Sequence, residues 1–222
     1  MTAAHIVIPI KHFAAAKQRL APHLTPEQRA RLAEAMCRDV LAAALRVAPV
    51  LVVAYAAEVA ALARSAGAGV LWEDSAQGHS VAAQRGIHAL RGVPNDRVLV
   101  IPGDAPLVTA AELAALLDGV SGEHDLLLVP NRENEGTNGI ACRVAHAIPF
   151  QFGPGSLARH QAAAQRAGLT CQTVRVASLA LDIDTADDLA LLRRNATLPV
   201  HTAVVLSAFE LLQGALDPPA DG

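Results

Sequence analysis

The chain has 222 residues, of which 52% are hydrophobic and 18% charged, and its formal net charge at pH 7 is −3. This length and composition predict one domain, or one domain with a small appendage, and exclude a chain that is disordered throughout. The chain has no basic block and no run of about eighteen apolar residues, so we expect neither a nucleic-acid partner nor a membrane span.

Apolar runs and helical patterns alternate along most of the chain. Strands are predicted at 5–10, 50–55, 70–72, 97–101, 125–130, 139–142 and 173–177. Helices are predicted to begin at Pro26 and to cover 58–66, 81–90, 109–117, 156–167, 185–194 and 201–214. This alternation predicts a single-domain, three-layer α/β/α fold whose mostly parallel sheet is covered on both faces. A weak boundary divides a main domain, 1–197, from a tail, 198–222, with a short apolar helix.

Polar residues mark several of the helix starts. Thr25 to Gln28 form a capping box with Pro26 at the first helical position, and Thr109, Ser156 and Thr185 are predicted to cap later helices.

The start of the chain and its cysteines predict the compartment. His5, Lys11 and Lys17 interrupt the apolar start, which is unlike a secretory signal peptide. The three cysteines are far apart and form no Cys-x-x-Cys pair, which favours free thiols over disulfides or zinc. We therefore expect a cytoplasmic protein.

The most informative strand is Val98 to Ile101, because it is followed by Pro102-Gly103 and then by Asp104. A carboxylate just beyond the carboxyl end of a buried strand lies where open α/β sheets bind ligands. Aspartate also commonly braces a turn. Taken alone, the stretch leaves both interpretations open.

Asp182 and Asp184 add two carboxylates before a predicted helix. In an extended segment, residues two apart point the same way, and together with Asp104 they would form a hard oxygen site suited to Mg²⁺. Acidic residues also favour a helix start. Since Thr185 already supplies the cap, we favour the metal site.

A basic loop follows the first strand and carries Lys11, Lys17 and Arg19. These cations can hold nucleotide phosphates, and the small residues Ala14 to Ala16 would let a ligand approach closely; a solvated basic loop is the alternative. The loop has neither a Walker pattern nor Gly-x-Gly-x-x-Gly, which disfavours P-loop and dinucleotide-binding proteins.

A second candidate anion site is the segment Phe152 to His160. Its glycines expose backbone N–H groups, and Ser156 opens a helix whose N-terminus favours an anion, with Arg159 one turn in. An ordinary Gly/Pro turn is the alternative. His160 and the other histidines show no metal-ligand spacing and are interpreted as surface or core residues.

Together these segments resemble the 2-phospho-L-lactate guanylyltransferase family, which includes enzymes named for phosphoenolpyruvate or 3-phospho-D-glycerate. The resemblance spans residues 6 to about 192. It rests on these segments: Ile8-Pro9-Ile10-Lys11, Ala14-Ala15-Ala16-Lys17-Gln18-Arg19-Leu20, Ala35-Met36 with Asp39-Val40, Gly103-Asp104-Ala105-Pro106-Leu107, Gly136-Thr137-Asn138, Phe152-Gly153-Pro154-Gly155-Ser156 with Arg159-His160, and Leu181-Asp182-Ile183-Asp184-Thr185 with Asp188-Leu189.

The resemblance implies a nucleotidyltransferase fold, GTP as donor, Mg²⁺ as cofactor, and a step in the biosynthesis of coenzyme F-420. The residues that it implies fall into three groups. Asp104, Asp182 and Asp184 would hold the metal; Thr137, Gly153 and Ser156 would bind the phosphorylated acid; Lys11, Lys17, Arg19 and Gln84 would contact the nucleotide. Relatives often have Asn where this chain has Gln84. Lys17 and Asp104 are the predicted catalytic residues.

The predicted reaction joins GMP to the phosphate of a small three-carbon acid and releases pyrophosphate. The alternatives are a nucleotidyltransferase for another acceptor, such as a sugar phosphate or a molybdopterin, and a non-catalytic nucleotide-binding module. The sequence leaves open which acid is used. It also leaves open whether the apolar tail pairs two subunits in a homodimer or packs on its own domain.

Overall fold

The computed structural model describes residues 3–120 and 123–214, with the backbone alone for 210–214. Its sheet runs in the order β3-β2-β1-β4-β6-β5-β7. The strands are β1 (Ala4–Pro9), β2 (Val50–Ala54), β3 (Gly69–Trp72), β4 (Arg97–Val100), β5 (Leu126–Pro130), β6 (Thr137–Arg143) and β7 (Cys171–Thr173). β6 is antiparallel to β4 and to β5, and the other neighbouring strands are parallel. The predicted mostly parallel sheet is confirmed.

Helices connect most of these strands. They are α1 (Pro26–Leu45), α2 (Ala57–Ala66), α3 (His79–Ala89), α4 (Ala110–Asp118), α5 (Ser156–Arg166), α6 (Ala177–Ala180), α7 (Ala186–Arg193) and α8 (Val200–Gly214), with short 3-10 turns at Gln18–Leu20 and Val144–His146.

The alternation of side chains along the strands builds two apolar cores, one on each face of the sheet. Ile6 and Ile8 of β1 belong to the core that α1, α2 and α4 cover. Val7 belongs to the core that α3 and α5 cover. On this second face, a Cβ at position 86 would lie 2.4 Å from Val7 Cγ1, so only glycine lets α3 approach β1 this closely. The predicted three-layer, single-domain fold is confirmed.

The helix starts follow the predicted capping chemistry at three of four places. Thr25, Thr109 and Thr185 each form a complete capping box. The prediction that Ser156 caps α5 is wrong. Gly155 occupies the cap position, and the Ser156 hydroxyl accepts a hydrogen bond from the Thr137 N–H at 2.9 Å.

The predicted strand at 173–177 is also wrong in extent, because β7 ends at Thr173 and α6 begins at Ala177. β7 pairs with β5 only as far as Leu128. β5 ends at Pro130, which has no N–H to continue the ladder. Val174 and Val176 instead pack against the core, which explains the apolar alternation of this segment.

The predicted apolar tail helix is α8, and it packs on α1 of its own chain. The Asp39 carboxylate accepts hydrogen bonds from the backbone N–H groups of His201 at 3.1 Å and Thr202 at 2.8 Å, which caps the start of α8. Leu206 and Phe209 are buried in an additional apolar cluster, separate from the two cores of the sheet, which also contains residues of α1. The remainder of the predicted tail, 215–222, lies outside the described residues.

Among the helices of residues 3–120 and 123–214, none combines the length and the apolar character needed to cross a lipid bilayer.

Candidate active site

A cavity of about 800 Å³ opens where β1 and β4 end and β6 begins. The antiparallel direction of β6 brings its first residue to the edge at which the parallel strands finish. Most of the residues predicted to bind ligands line this cavity: Lys11, Lys17, Arg19, Asp104, Thr137, Gly153, Ser156, Asp182 and Asp184. The cavity lies at the sheet edge where open α/β folds bind ligands.

Lys17 lies between two of the predicted carboxylates. Its ammonium Nζ is 2.5 Å from Asp104 Oδ2 and 2.9 Å from Asp184 Oδ1, and only 4% of its side chain is exposed. Burial by itself would lower the pKa of Lys17, but the charges and hydrogen bonds of the two aspartates outweigh it and raise the pKa to about 12. Lys17 is therefore a fixed positive charge at any pH near neutrality.

The backbone of Lys17 is in the left-handed region, with φ at 56°. A non-glycine residue adopts this conformation at a cost, and such residues concentrate at functional sites. The sequence predicted Lys17 as a phosphate contact but carries no sign of this conformation or of its two ion pairs.

The third aspartate, Asp182, is held by a neutral partner. Its Oδ1 accepts a hydrogen bond from Asn138 Nδ2 at 3.0 Å, and the same amide group donates to the Leu179 carbonyl. Burial and then the charge of Asp104 raise the pKa of Asp182. Burial also pushes the pKa of Asp184 upward, but Lys17 reverses that effect and the net direction is down.

We call Asp104, Asp182 and Asp184, with Lys17, the carboxylate cluster. The backbone N–H of Ile183 donates to the Asp104 carbonyl at 3.1 Å, and the Ile183 side chain is fully buried. This anchor explains the Asp-x-Asp spacing, because the central residue enters the core and the aspartates on either side line the cavity.

The donor chemistry of the carboxylate cluster fits a divalent cation. Each carboxylate uses one oxygen in the hydrogen bonds above and keeps a second oxygen, a hard donor of the kind Mg²⁺ prefers. A cation here would stabilise the ionised form of Asp182, whose pKa is raised by burial and, second, by the charge of Asp104. In the described part of the chain, however, no three His, Cys, Asp or Glu side chains are already arranged closely enough to hold a metal ion. The predicted magnesium site remains a prediction.

A different set of groups, which we call the hydroxyl wall, lines another part of the cavity: Thr137 and Ser156, with His160 behind them. Thr137 Oγ1 is 3.0 Å from His160 Nδ1, and the Thr137 N–H donates to Ser156 Oγ. The Gln151 N–H donates to His160 Nε2 at 2.8 Å. Ser156 and His160 are completely buried. Burial, with a smaller contribution from the Arg159 charge, lowers the pKa of His160 to about 4.

The glycines next to the hydroxyl wall have conformations that only glycine adopts readily. Gly153 has φ at 113° and Gly155 has φ at 69°. Arg159, predicted to assist an anion here, instead donates to the Gln151 carbonyl at 3.0 Å and does not line the cavity. The predicted anion cradle therefore consists of backbone and hydroxyl groups.

A model of the family described as "Guanylyl transferase CofC like" matches residues 4–194 of the chain. The chain belongs to this family. A phosphoenolpyruvate guanylyltransferase from Conexibacter woesei is 38% identical, over 84% of this chain and 86% of that protein. A 3-phospho-D-glycerate guanylyltransferase from Phenylobacterium zucineum is 35% identical, over 83% of this chain and 87% of that protein. A 2-phospho-L-lactate guanylyltransferase from Methanothermobacter thermautotrophicus is 34% identical, over 82% and 81%.

Solved structures share the architecture at much lower identity. A protein from Desulfovibrio desulfuricans G20 has a TM-score of 0.77 at 16% identity, covering 96% of this chain and 98% of that one. A nucleotidyl transferase from Methanothermobacter has a TM-score of 0.62 at 18% identity, covering 93% and 99%. The chain thus has a nucleotidyltransferase-like fold, and its membership of the CofC-like family makes it an enzyme of the nucleotidyltransferase class.

The structure does not bring Gln84 into the cavity of this CofC-like protein. Its Oε1 accepts a hydrogen bond from the Phe150 N–H at 3.2 Å, and Gln84 is absent from the cavity lining. Lys11 and Arg19, in contrast, line the cavity with exposed side chains. The nucleotide contact expected of Gln84 by analogy with relatives stays a prediction; in this structure its side chain supports the segment that precedes the hydroxyl wall.

Sequence reasoning missed His79 and Ser80, which it placed in a polar loop or just ahead of a helix. Both residues line the cavity at the start of α3. The His79 ring packs edge-on against the Phe152 ring, with 4.8 Å between the ring centroids. Ser80 Oγ accepts a hydrogen bond from the Phe152 N–H at 2.9 Å. The signal that marks this start is Gly78, whose φ of 97° lets the chain turn into the helix.

Proposed function

We propose that this chain transfers GMP from GTP to the phosphate of a small phosphorylated three-carbon acid and releases pyrophosphate, as a step in the biosynthesis of coenzyme F-420. The proposal rests on one observation: a single cavity contains both a buried ammonium paired with carboxylates and a neutral wall of hydroxyl and glycine groups. Such a cavity has a separate place for each of two anions, which is what a transfer between two phosphates requires.

The reaction itself needs positioning and charge neutralisation more than covalent chemistry. A phosphate oxygen of the acid attacks the α-phosphorus of GTP, a new phosphorus–oxygen bond forms, and the bond to the bridging oxygen of the β-phosphate breaks. Pyrophosphate leaves with the electrons of that bond. A phosphate oxygen is already anionic near pH 7, so the attack needs no general base. This agrees with the neutral, buried state of His160.

Lys17 is the residue best placed to bind the nucleotide phosphates. An ammonium group has three N–H donors, and the ion pairs to Asp104 and Asp184 use two of them. The third can donate to a phosphate oxygen while the aspartates hold Lys17 in position. Arg19 and Lys11 line the same cavity and would screen the charge of the leaving pyrophosphate.

Asp104, Asp182 and Asp184 would hold Mg²⁺. When bound, this ion would reduce the repulsion between the two substrates and stabilise the charge that develops during transfer. It would also stabilise the ionised form of Asp182, whose pKa is raised by burial and, to a smaller extent, by the charge of Asp104.

On the acceptor side, Thr137, Ser156 and the backbone at Gly153 would bind the acid. Their hydroxyl and N–H groups are neutral donors, which suits recognition of oxygen positions by geometry. The names of the relatives include three different acids, phosphoenolpyruvate, 3-phospho-D-glycerate and 2-phospho-L-lactate, so we propose the class of acceptor and leave its member to experiment.

The proposal is tested by product mass. The protein is incubated with GTP, Mg²⁺ and an equimolar mixture of the three acids, and we expect a guanylylated acid together with one equivalent of pyrophosphate. Parallel reactions with ATP, CTP and UTP test the nucleotide. Binding of GTP without pyrophosphate release from any acid would contradict the proposal and favour a nucleotide-binding module.

A further inference from the structure

In the hydrogen bonds of the hydroxyl wall, the donor and the acceptor can be assigned. The assignment starts from His160. A backbone N–H can only donate, so the bond from Gln151 at 2.8 Å requires His160 Nε2 to be an unprotonated acceptor. A neutral imidazole carries one proton, which must then be on Nδ1. Nδ1 is 3.0 Å from Thr137 Oγ1, so the ring donates to the hydroxyl oxygen.

This bond determines what Thr137 can do. Its Oγ1 accepts from His160, so its own hydroxyl proton points away from the ring and is available to another group. Thr137 is 6% exposed and lines the cavity. As the first residue of β6, it also has a backbone position set by the sheet.

The second hydroxyl accepts from a backbone donor, whose direction is fixed independently of His160. The Thr137 N–H donates to Ser156 Oγ at 2.9 Å, so Ser156 also has an oxygen that accepts from the protein and a proton left to donate. Ser156 lines the cavity as the first residue of α5. The Thr137 and Ser156 hydroxyls thus each accept one hydrogen bond from the protein and keep an O–H donor, with one lone pair left on each oxygen.

We propose that His160 is a positioning residue for the acid substrate: by donating to Thr137 it turns the Thr137 hydroxyl proton away from the ring, so that this hydroxyl presents a donor to the cavity and favours a ligand oxygen that carries no proton. This inference rests on the proposed function, because it describes how the acceptor side of that site recognises its ligand. The chemistry that fits is an ionised carboxylate or phosphate oxygen.

His160 also explains how this side of the cavity binds an anion without a charge of its own. The ring is completely buried and packs edge-on against the rings of Phe150 and Phe152, with centroid–centroid distances of 6.4 and 5.2 Å. These contacts fix the orientation of the ring, and with it the orientation of the donor. A cation at this place would compete with Lys17 for the nucleotide phosphates, whereas a neutral donor pair would not.

The first test uses two substitutions, each of which reproduces the position of one ring nitrogen of the imidazole. In His160→Asn the amide nitrogen can stand where Nδ1 stands and donate to Thr137, whereas His160→Gln reaches only the Nε2 position. Binding of each of the three acids is measured by calorimetry without GTP. We expect about tenfold weaker binding in His160→Gln and less than about threefold in His160→Asn, since one hydrogen bond to a charged group is lost only in the former.

Ala164→Gly is the matched control, because Ala164 is buried in the same helix and touches none of these hydrogen bonds. We expect it to lower stability but leave the affinity for the acids unchanged. Equal weakening in His160→Gln and His160→Asn, or weakening in Ala164→Gly as well, would show a merely structural role and overturn the inference. Binding of GTP should remain within about twofold in all of them.

The second test needs neither a substrate nor a stable variant. Nitrogen-15 NMR of histidine-labelled wild-type protein reports which ring nitrogen is protonated. We expect a neutral His160 with its proton on Nδ1 at pH 7. A proton on Nε2 would overturn the inference whatever the binding results.

A third measurement identifies the group that the hydroxyl wall binds. D-glycerate offers the carboxylate alone and inorganic phosphate offers the phosphate alone. The probe whose affinity falls in His160→Gln marks its group as the ligand of Thr137 and Ser156, and an affinity that changes for neither contradicts the inference. If wild-type protein binds none of the three acids, the proposed function fails too; if it binds them and His160→Gln binds them equally well, only this inference fails.

Discussion

The carboxylate cluster and the hydroxyl wall share one cavity but are built on different physics. In the cluster, Lys17 is a permanent charge whose pKa is raised to about 12 by the aspartates. In the wall, His160 is neutral at pH 7, because burial lowers its pKa to about 4. One region works through the sign of its charges and the other through the direction of its hydrogen bonds. Changes of charge should therefore damage the first region, and changes of donor geometry should damage the second.

The largest effect is expected from Asp104→Asn. This substitution keeps the shape of the side chain but removes a charge next to Lys17 and one of the proposed metal ligands. We expect pyrophosphate release to fall by about 10²- to 10³-fold with the fold intact, as for other losses of transition-state charge stabilisation. Asp118→Asn removes a surface partner of Arg97 and should leave the rate unchanged. A near-normal rate in Asp104→Asn would contradict the role given to the carboxylate cluster.

The second effect concerns acid stability and the hydroxyl wall. The pKa of His160 falls from an ordinary 6.5 to about 4 in the folded protein, so as pH decreases the unfolded chain takes up a proton before the folded one does. The stability that His160 contributes is complete above about pH 6.5 and is lost as pH falls towards 4. His160→Asn lacks this loss. We expect the free energy of unfolding of wild type to fall by on the order of 2 to 3 kcal/mol more than that of His160→Asn between pH 7.5 and 4.

Urea unfolding at a series of pH values measures this difference, and titrations shared by both proteins cancel in the comparison. Parallel pH profiles for wild type and His160→Asn would contradict a neutral, buried His160.

Lys17→Met should give a smaller loss of stability with the opposite dependence on pH. Removing the ammonium leaves Asp104 and Asp184 without their counter-charge, but these side chains are 31% and 45% exposed, so we expect a loss of only about 1 to 2 kcal/mol at pH 7. Without Lys17 the pKa of Asp184 is no longer held down. The difference from wild type should therefore shrink on acidification, because Asp184 takes up a proton in the variant before it does in wild type.

Chemical denaturation at pH 7 and at pH 4 tests this prediction. Lys11→Met is the control, because Lys11 is an exposed lysine that lines the same cavity. A loss that grows on acidification would contradict the ion-pair argument.

The smallest effect separates structural support from substrate contact. Gln84→Leu removes the side-chain acceptor of the Phe150 N–H and should cost about 1 kcal/mol of stability. Because Gln84 does not line the cavity, we expect the KM for GTP to stay within about twofold of wild type. A KM for GTP that rises tenfold, with the KM for the acid unchanged, would return Gln84 to the nucleotide site.

The parts of the fold that could be predicted are those decided by local chemistry. The capping boxes at Thr25 and Thr185 depend on residues three positions apart, and the buried run before Asp104 depends on consecutive apolar residues. The reversed direction of β6 depends on how the turn between residues 130 and 137 closes, which no periodicity records. Ser156 has the sequence of a helix cap, yet its hydroxyl serves Thr137, a partner 19 residues away in the chain.

The site shows the same division. Motifs found the residues that line the cavity, because strand ends and glycine turns leave local signatures. They could not show that the Lys17 ammonium lies between Asp104 and Asp184, since these ion pairs join residues 87 and 167 positions apart. His160 was interpreted as an ordinary surface or core histidine because its role depends on which groups face its two ring nitrogens. Distant contacts of this kind are properties of the packed molecule.

The reversal of β6 also bears on how such a site can diversify. The loop between β5 and β6 is a hairpin connection, held by the Asn131 side-chain oxygen, which accepts the N–H groups of Glu135 and Gly136. It ends directly at Thr137 and contributes to the cavity rim. A hairpin loop can gain or lose residues without moving the strands that it joins. Descendants of one ancestral scaffold can thus reshape the rim beside Thr137 while inheriting the carboxylate cluster unchanged.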